Sequence, residues 1–165
     1  MAAGNTYVAL ATNTLTGTSA SVTFSSISGA YTDLVVVSNV STTLTNINFL
    51  IRFNSDTATN YSWRSVGGTG TTAVSNYVAS TAVPRVADDG YLTTTIGTYV
   101  TSIQNYSNTT TYKNYLSRAS GSSVGVSAVV GLWRSTAAIT AIELFPASST
   151  FISGSTFSLY GIAAA

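Results

Sequence analysis

The chain has 165 residues, enough for one domain that buries roughly 70% of its unfolded surface without metal or disulfide staples. Only 7% of the residues are charged against 45% hydrophobic, with six Lys plus Arg against five Asp plus Glu. That near-neutral balance gives no long-range field to steer nucleic acid or an anionic membrane, and the absence of Cys excludes disulfides and thiolate metal sites.

Gly, Asn, Ser and Thr punctuate the chain about every ten residues, the spacing of sandwiches and barrels built from short strands, and no segment carries a helical period. The N-terminal MAAGNTYVALAT has neither a basic region nor a continuous apolar run, so a soluble, unprocessed chain is expected. A first strand is predicted over residues 6–12, where Tyr7, Ala9 and Ala11 alternate with Val8 and Leu10 before the turn-forming NTLTGTS. A second is predicted over 21–27, with Val22 and Phe24 set against Thr23 and Ser25.

The strongest signal lies in residues 31–56, YTDLVVVSNVSTTLTNINFLIRFNSD. Leu34, Val35, Val36 and Val37 form an unbroken apolar run, while Ile47, Phe49, Ile51 and Phe53 alternate with Asn48, Leu50 and Arg52. Two such runs across the polar SNVSTTLTN predict a β-hairpin as the floor of the core. A symmetric hairpin places Asp33 near Arg52 as a cross-strand pair, which would fix register more than it stabilises, because desolvation offsets much of the attraction.

NSDTATN forms a polar loop before a strand over 61–66, which Gly67, Gly68 and Gly70 are expected to end. Residues 67–90, with Pro84 in the middle and Asp88-Asp89-Gly90 at the end, read as a long excursion with at most short strand or helical pieces. Alternation returns over 91–106, and a partner strand over 112–119 follows the turn SNTTT. Residues 124–134 place Val126, Ala128, Val130 and Leu132 on one face and Val129 and Trp133 on the other, the pattern of a fully buried central strand. A strand over 139–145 stops at Pro146, and one over 156–162 closes a set of nine or ten. Short connections require mainly antiparallel pairing. The core is predicted to hold Val35, Val37, Phe49, Ile51, Phe53, Val126, Ala128, Val130 and Leu144.

Acid–base chemistry needs His or convergent carboxylates. The chain has no His, and its carboxylates are Asp33, Asp56, Asp88, Asp89 and Glu143. A hydrolytic site therefore requires distant strands to bring Asp33, Asp56 or Glu143 together, whereas strand-end and turn positions account for Asp33 and Asp56 without one. Asp88-Asp89-Gly90 reads as a turn at a strand entry, since a calcium loop supplies roughly six to eight oxygens from several spaced acidic residues. Gly67-Gly68-Thr69-Gly70 lacks the GxxxxGK[ST] pattern and a following helix. No catalytic residue, metal or cofactor is expected. Ten tyrosines open a carbohydrate-binding reading, with Tyr77, Tyr91, Tyr106, Tyr112 and Tyr115 as interface or glycan contacts near loops and strand ends. High β propensity and edge packing account for the same residues.

Four stretches, YTDLVVV at 31–37, IRFNSDTATNYSWR at 51–64, LWRSTAAITAIELFP at 132–146 and GSTFSLYGI at 154–162, resemble in the same order small virion surface proteins of tailed bacteriophages, of the cyanophage and marine phage type. The resemblance implies an all-β, jelly-roll-like antiparallel β-sandwich spanning 1–165, acting without enzymatic activity as a capsid decoration or cement protein. It further implies a homotrimer on the major capsid protein, at the outer surface of the virion, with no nucleic acid or membrane partner. A nearly uncharged exterior rich in Tyr, Ser and Thr fits such assembly, because it is desolvated without burying unpaired charge. The alternative is a tail-fibre or host-adhesion module binding cell-surface glycan. A polysaccharide-degrading enzyme on a β scaffold is a third reading, disfavoured by the missing His and sparse carboxylates. Residues 67–90 have no counterpart in the resemblance.

Overall fold

The structure, a computed structural model, describes residues 6–121 and 125–163, and for 89–91 the backbone alone. The described residues contain no helix and twelve strands: β1 (Tyr7–Thr14), β2 (Val22–Phe24), β3 (Asp33–Val40), β4 (Ile47–Phe53), β5 (Tyr61–Thr69), β6 (Thr72–Thr81), β7 (Arg85–Leu92), β8 (Gly97–Gln104), β9 (Lys113–Gly121), β10 (Gly125–Trp133), β11 (Ile142–Pro146) and β12 (Thr156–Ile162). Every pairing between them is antiparallel.

Eight of the strands interleave as a jelly roll. One side is β1-β12-β3-β8 and the other β2-β11-β4-β7, and the chain changes sides at β1–β2, β2–β3, β3–β4, β4–β5, β6–β7, β7–β8, β10–β11 and β11–β12. Two further antiparallel pairs, β5–β6 and β9–β10, follow β4 and β8 in the chain. They extend the first sheet beyond β8 in the order β9-β10-β5-β6, making it eight strands wide. The expected antiparallel sandwich is thus the observed architecture, with a broad wing added to one sheet.

The predicted hairpin does not form. β3 lies between β12 and β8 in the large sheet, while β4 lies between β11 and β7 in the small one. Residues 41–46 cross the sandwich instead of turning within a sheet. Their backbone is held by bonds from Thr42 N–H to the Thr93 carbonyl (2.8 Å) and from Thr43 N–H to the Thr150 carbonyl (3.0 Å). The physical reason lies in the apolar faces: Leu34, Val36 and Val40 on β3 and Phe49, Ile51 and Phe53 on β4 are all fully buried, and placing the strands in opposite layers lets those faces cover each other.

Gly67 and Gly68 do not end β5 either. The strand runs on to Thr69, and Gly70, at φ +58°, reverses it in two residues into β6, the longest strand of the fold. That left-handed backbone is strained for any residue but glycine. β6 is the edge of the large sheet and exposed at most positions, so it needs no apolar alternation and shows none in sequence. The excursion over 67–90 therefore contains two regular strands. Asp88-Asp89-Gly90 lies inside β7 rather than at a turn, where the register with β4 shifts so that Leu92 opposes Ile47 and Ala87 opposes Phe49.

The largest correction concerns β10. Its core face carries Ser127, Val129, Gly131 and Trp133, and the face predicted to be buried points outward, with Val126 61% and Val130 57% exposed and Ala128 half-buried. Of the other predicted core residues, Val35, Phe49, Ile51, Phe53 and Leu144 are buried and Val37 is half-buried. Aromatic volume sets the phase. Phe53 from the small sheet meets Tyr115 (5.8 Å between ring centroids) and Trp133 (5.7 Å) from the large one, and Tyr61 stacks on Trp133 at 6.2 Å. Gly131 sits opposite Tyr115 on β9 and Trp63 on β5, and a Cβ there would lie 2.0 Å from the Tyr115 ring. A second cluster, Phe49 with Tyr99 and Phe151 with Phe157, fills the jelly-roll half.

Candidate functional site

The few charged residues are mostly committed to internal contacts. Asp33 and Arg52, expected as a pair, lie in different sheets. Asp33 Oδ1 accepts the backbone N–H of Asn105 (2.7 Å), at a residue held at φ +50°. Arg52 donates to Glu143 Oε2 (2.8 Å) on the adjacent strand β11, in direct register, and its guanidinium lies over the Phe145 ring. The cross-strand ion pair is therefore Arg52–Glu143.

Asp56 organises the turn after β4. It accepts the Ala58 N–H (2.9 Å), the Asn60 amide (2.9 Å) and the Trp133 indole N–H (2.7 Å). Burial pushes its carboxyl upward, but these three donors and the nearby Arg52 charge outweigh it and hold it below the ordinary value of 3.8. This is the turn role expected for Asp56.

Asp88, 3% exposed, anchors the wing. Its Oδ2 accepts Ser65 Oγ–H on β5 (2.5 Å) and the Asn76 amide on β6 (2.9 Å), while Arg85 binds Oδ1 and lays its guanidinium over Trp63. The carboxylate is surrounded by donors, the reverse of the oxygen-lined pocket that calcium requires. Among the described residues no three His, Cys, Asp or Glu side chains cluster. Sequence reading also missed Lys113. It is 1% exposed at the start of β9, its ammonium donating to the carbonyls of Thr111 (2.8 Å) and Thr136 (3.1 Å), and burial lowers its pKa. The odd-even phase of KNYLSRAS, read together with Tyr115, was the available signal.

The five tyrosines proposed as surface contacts separate. Tyr77 and Tyr112 are 64% and 54% exposed. Tyr106 and Tyr115 are core residues, their hydroxyls donating to the Ser28 and Arg85 carbonyls respectively, so neither can stack on a ligand. They are buried because strand-end tyrosines reach the core with the ring and satisfy the hydroxyl on a backbone carbonyl. The side chain of Tyr91 lies outside the described part of the molecule.

What the fold brings together on the surface is the outer face of the wing. Val66 on β5, Leu116 on β9 and Val126 and Val130 on β10 are each exposed and lie on adjacent strands. Arg64, opposite Val130, rests its guanidinium 4.9 Å from the centre of the Tyr77 ring, and Arg118 lies opposite Ala128. Shallow hollows follow this face, one between β5, β6 and β10 and another between β5, β9 and β10. No family model matches the chain, and no curated protein matches it.

Proposed function

We propose that this chain is a non-enzymatic virion structural protein of a tailed bacteriophage, a decoration or cement protein that binds the major capsid protein on the outside of the shell and tightens neighbouring capsomers. The observation that supports it most is the outer face of the wing: neighbouring strands present exposed Val and Leu side chains, while Asp33, Asp56, Asp88 and Glu143 are tied into internal contacts that hold strands and turns. Clustered surface apolar side chains mark docking sites more often than catalysis. A jelly roll is compatible with the role but does not imply it. Assembly as a homotrimer belongs to the same proposal, favoured by an exterior with few charges to desolvate.

Quantitative mass spectrometry of purified virions tests the role. Hundreds of copies per particle, retained on shells separated from tails, are expected. A few copies that travel with the tails would instead favour the adhesin reading, for which exposed Tyr77 and Tyr112 are the available stacking platforms.

A further inference from the structure

The assembly reading leaves open which surface meets the shell and what the shell must offer. We propose that the outer face of the large sheet from β8 to β6 is the docking surface, and that its partner is a different protein whose matching surface is apolar at its centre and carries carboxylates that meet Arg64 and Arg118. The inference rests on the assembly reading and deepens it.

Three observations carry it. Size comes first: five strands ~4.8 Å apart and nine residues long at ~3.3 Å per residue span ~700 Å², close to the ~800 Å² per partner of a stable protein interface. Chemistry comes second. Val66, Leu116, Val126 and Val130 occupy the middle of the face, exposed although the same strands bury Ser65, Ser117 and Ser127 on the other side. The third is charge. Within the paired parts of these five strands, the charged side chains on this face are Arg64 and Arg118; Arg134, one residue past β10 at the end of the face, spends its guanidinium on the carbonyls of Tyr61 on β5 (3.3 Å) and Ala79 on β6 (3.2 Å). Arg64 and Arg118 are two strands and two residues apart, ~12 Å between their backbones. Arg64 is already positioned by the Tyr77 ring, which lowers the ordering cost on binding.

The same charge pattern argues against the other occupants. A second copy stacked face to face would bring Arg64 and Arg118 of both copies together with no carboxylate among them, enclosing unpaired like charges. A lipid surface would be held by two cations on a chain of net charge +1 and by short valines that reach little past the backbone. An acidic, apolar protein surface satisfies both the valines and the arginines.

The test uses the whole chain and capsid shells of the phage whose virions carry it, stripped of the protein. Wild type is expected to bind saturably. Val126→Asp/Val130→Asp and Arg64→Glu/Arg118→Glu should each weaken binding at least tenfold, Arg64→Lys/Arg118→Lys should retain part of it, and Thr23→Asp at the one exposed position of β2, in the other sheet, should match wild type. Unchanged circular dichroism and melting temperature establish that the variants fold. Wild type and every variant binding equally would overturn the inference and leave the assembly reading intact. Wild type failing to bind would overturn both. Analytical ultracentrifugation and flotation with vesicles of 30% phosphatidylserine complete the set: an oligomer dissolved only by the valine substitutions, or vesicle binding lost only with the arginine substitutions, would assign the face to a second copy or to lipid and overturn the inference.

Discussion

The two faces of β10 differ in a way that inverts the usual expectation. Inside, against the small sheet, lie Ser127, Val129, Gly131 and Trp133; outside lie Val126, Ala128, Val130 and Leu132. By summed hydropathy the outer set belongs in the core. The inner set is there because Trp133 and the neighbouring Tyr115, Trp63 and Tyr61 are large buried rings, and rings of that size need small residues beside them. Volume matching, more than apolar content, decides which face of this strand is buried. The valines left outside are then free to serve a partner.

Substitutions on the two faces should separate by the largest margin at Phe53. Its ring joins Tyr61, Tyr115 and Trp133 and is fully buried. Phe53→Ala should cost about 4 kcal/mol from lost area and the cavity left behind. Val130→Ser, on the outer face of β10 in the opposite sheet, should change stability by less than about 0.5 kcal/mol. Urea denaturation of both variants measures the contrast, and equal midpoints would mean that β10 is phased the other way.

Gly131 offers the next largest effect and the most direct test of the aromatic argument. A single methyl there meets the Tyr115 ring, which is fixed by the hydroxyl bond to the Arg85 carbonyl (2.9 Å) and cannot swing away cheaply. Gly131→Ala should cost about 2 to 3 kcal/mol by overpacking. The double variant with Tyr115→Leu should recover part of that loss, since the clash disappears with the ring. A double variant as unstable as the sum of the singles would mean that Gly131 is needed for its backbone freedom and not for the space above it.

The same elements show what was legible in the sequence. β1, β3, β4, β8, β9 and β12 were legible as short runs rich in apolar, aromatic and β-branched residues between turn-forming stretches, most cleanly β4, where Ile47, Phe49, Ile51 and Phe53 line one face. Their sheet membership was not legible: a loop of six residues between β3 and β4 suits a hairpin as well as a crossing between layers, and the difference lies in partners far along the chain, Thr93 and Thr150. β6 was hidden because its exposed side chains show no alternation and because Gly67, Gly68 and Gly70 read as a break in the chain where only Gly70 turns it. The Arg52–Glu143 pair was beyond reach for the same reason as the crossing, its members being 91 positions apart. The valines of β10 were plain in the sequence, but only the aromatic phase reveals which side they occupy.

Alkaline titration probes the inner face alone. Burial raises the phenol pKa of Tyr61, Tyr99 and Tyr115 above the ordinary 10.0. Their folded-state values lie above the unfolded ones, so their stabilisation is complete below pH 10 and is lost as pH rises past it, where the unfolded chain ionises and the folded chain does not. Each should withdraw about 1 kcal/mol between pH 9 and pH 11. Denaturant midpoints across that range should fall steadily, and Tyr99→Phe should make the fall shallower. A flat profile would mean that water reaches these hydroxyls.

Lys113 gives the smallest effect, and one of opposite sign. Its ammonium is enclosed at the start of β9, beside Trp133 in register, with two backbone carbonyls as acceptors. Burial lowers its pKa from 10.5, so between the folded value and 10.5 the unfolded chain holds more protons and stability rises with pH. Below the folded value the cost of enclosing the charge is expressed in full. Lys113→Met keeps the packing length, removes the charge and leaves two carbonyls short of a donor, so the net change at pH 7 should lie between zero and about 1 kcal/mol of stabilisation. The variant should also lose the upward contribution that the lysine makes below pH 10.5, so its decline from pH 9 to pH 10.5 should be steeper than in wild type. A destabilisation of about 2 kcal/mol or more would show instead that the lysine bridges Thr111 and Thr136 as a structural clamp, tying the β9 entry to the loop after β10 more strongly than burial of its charge opposes.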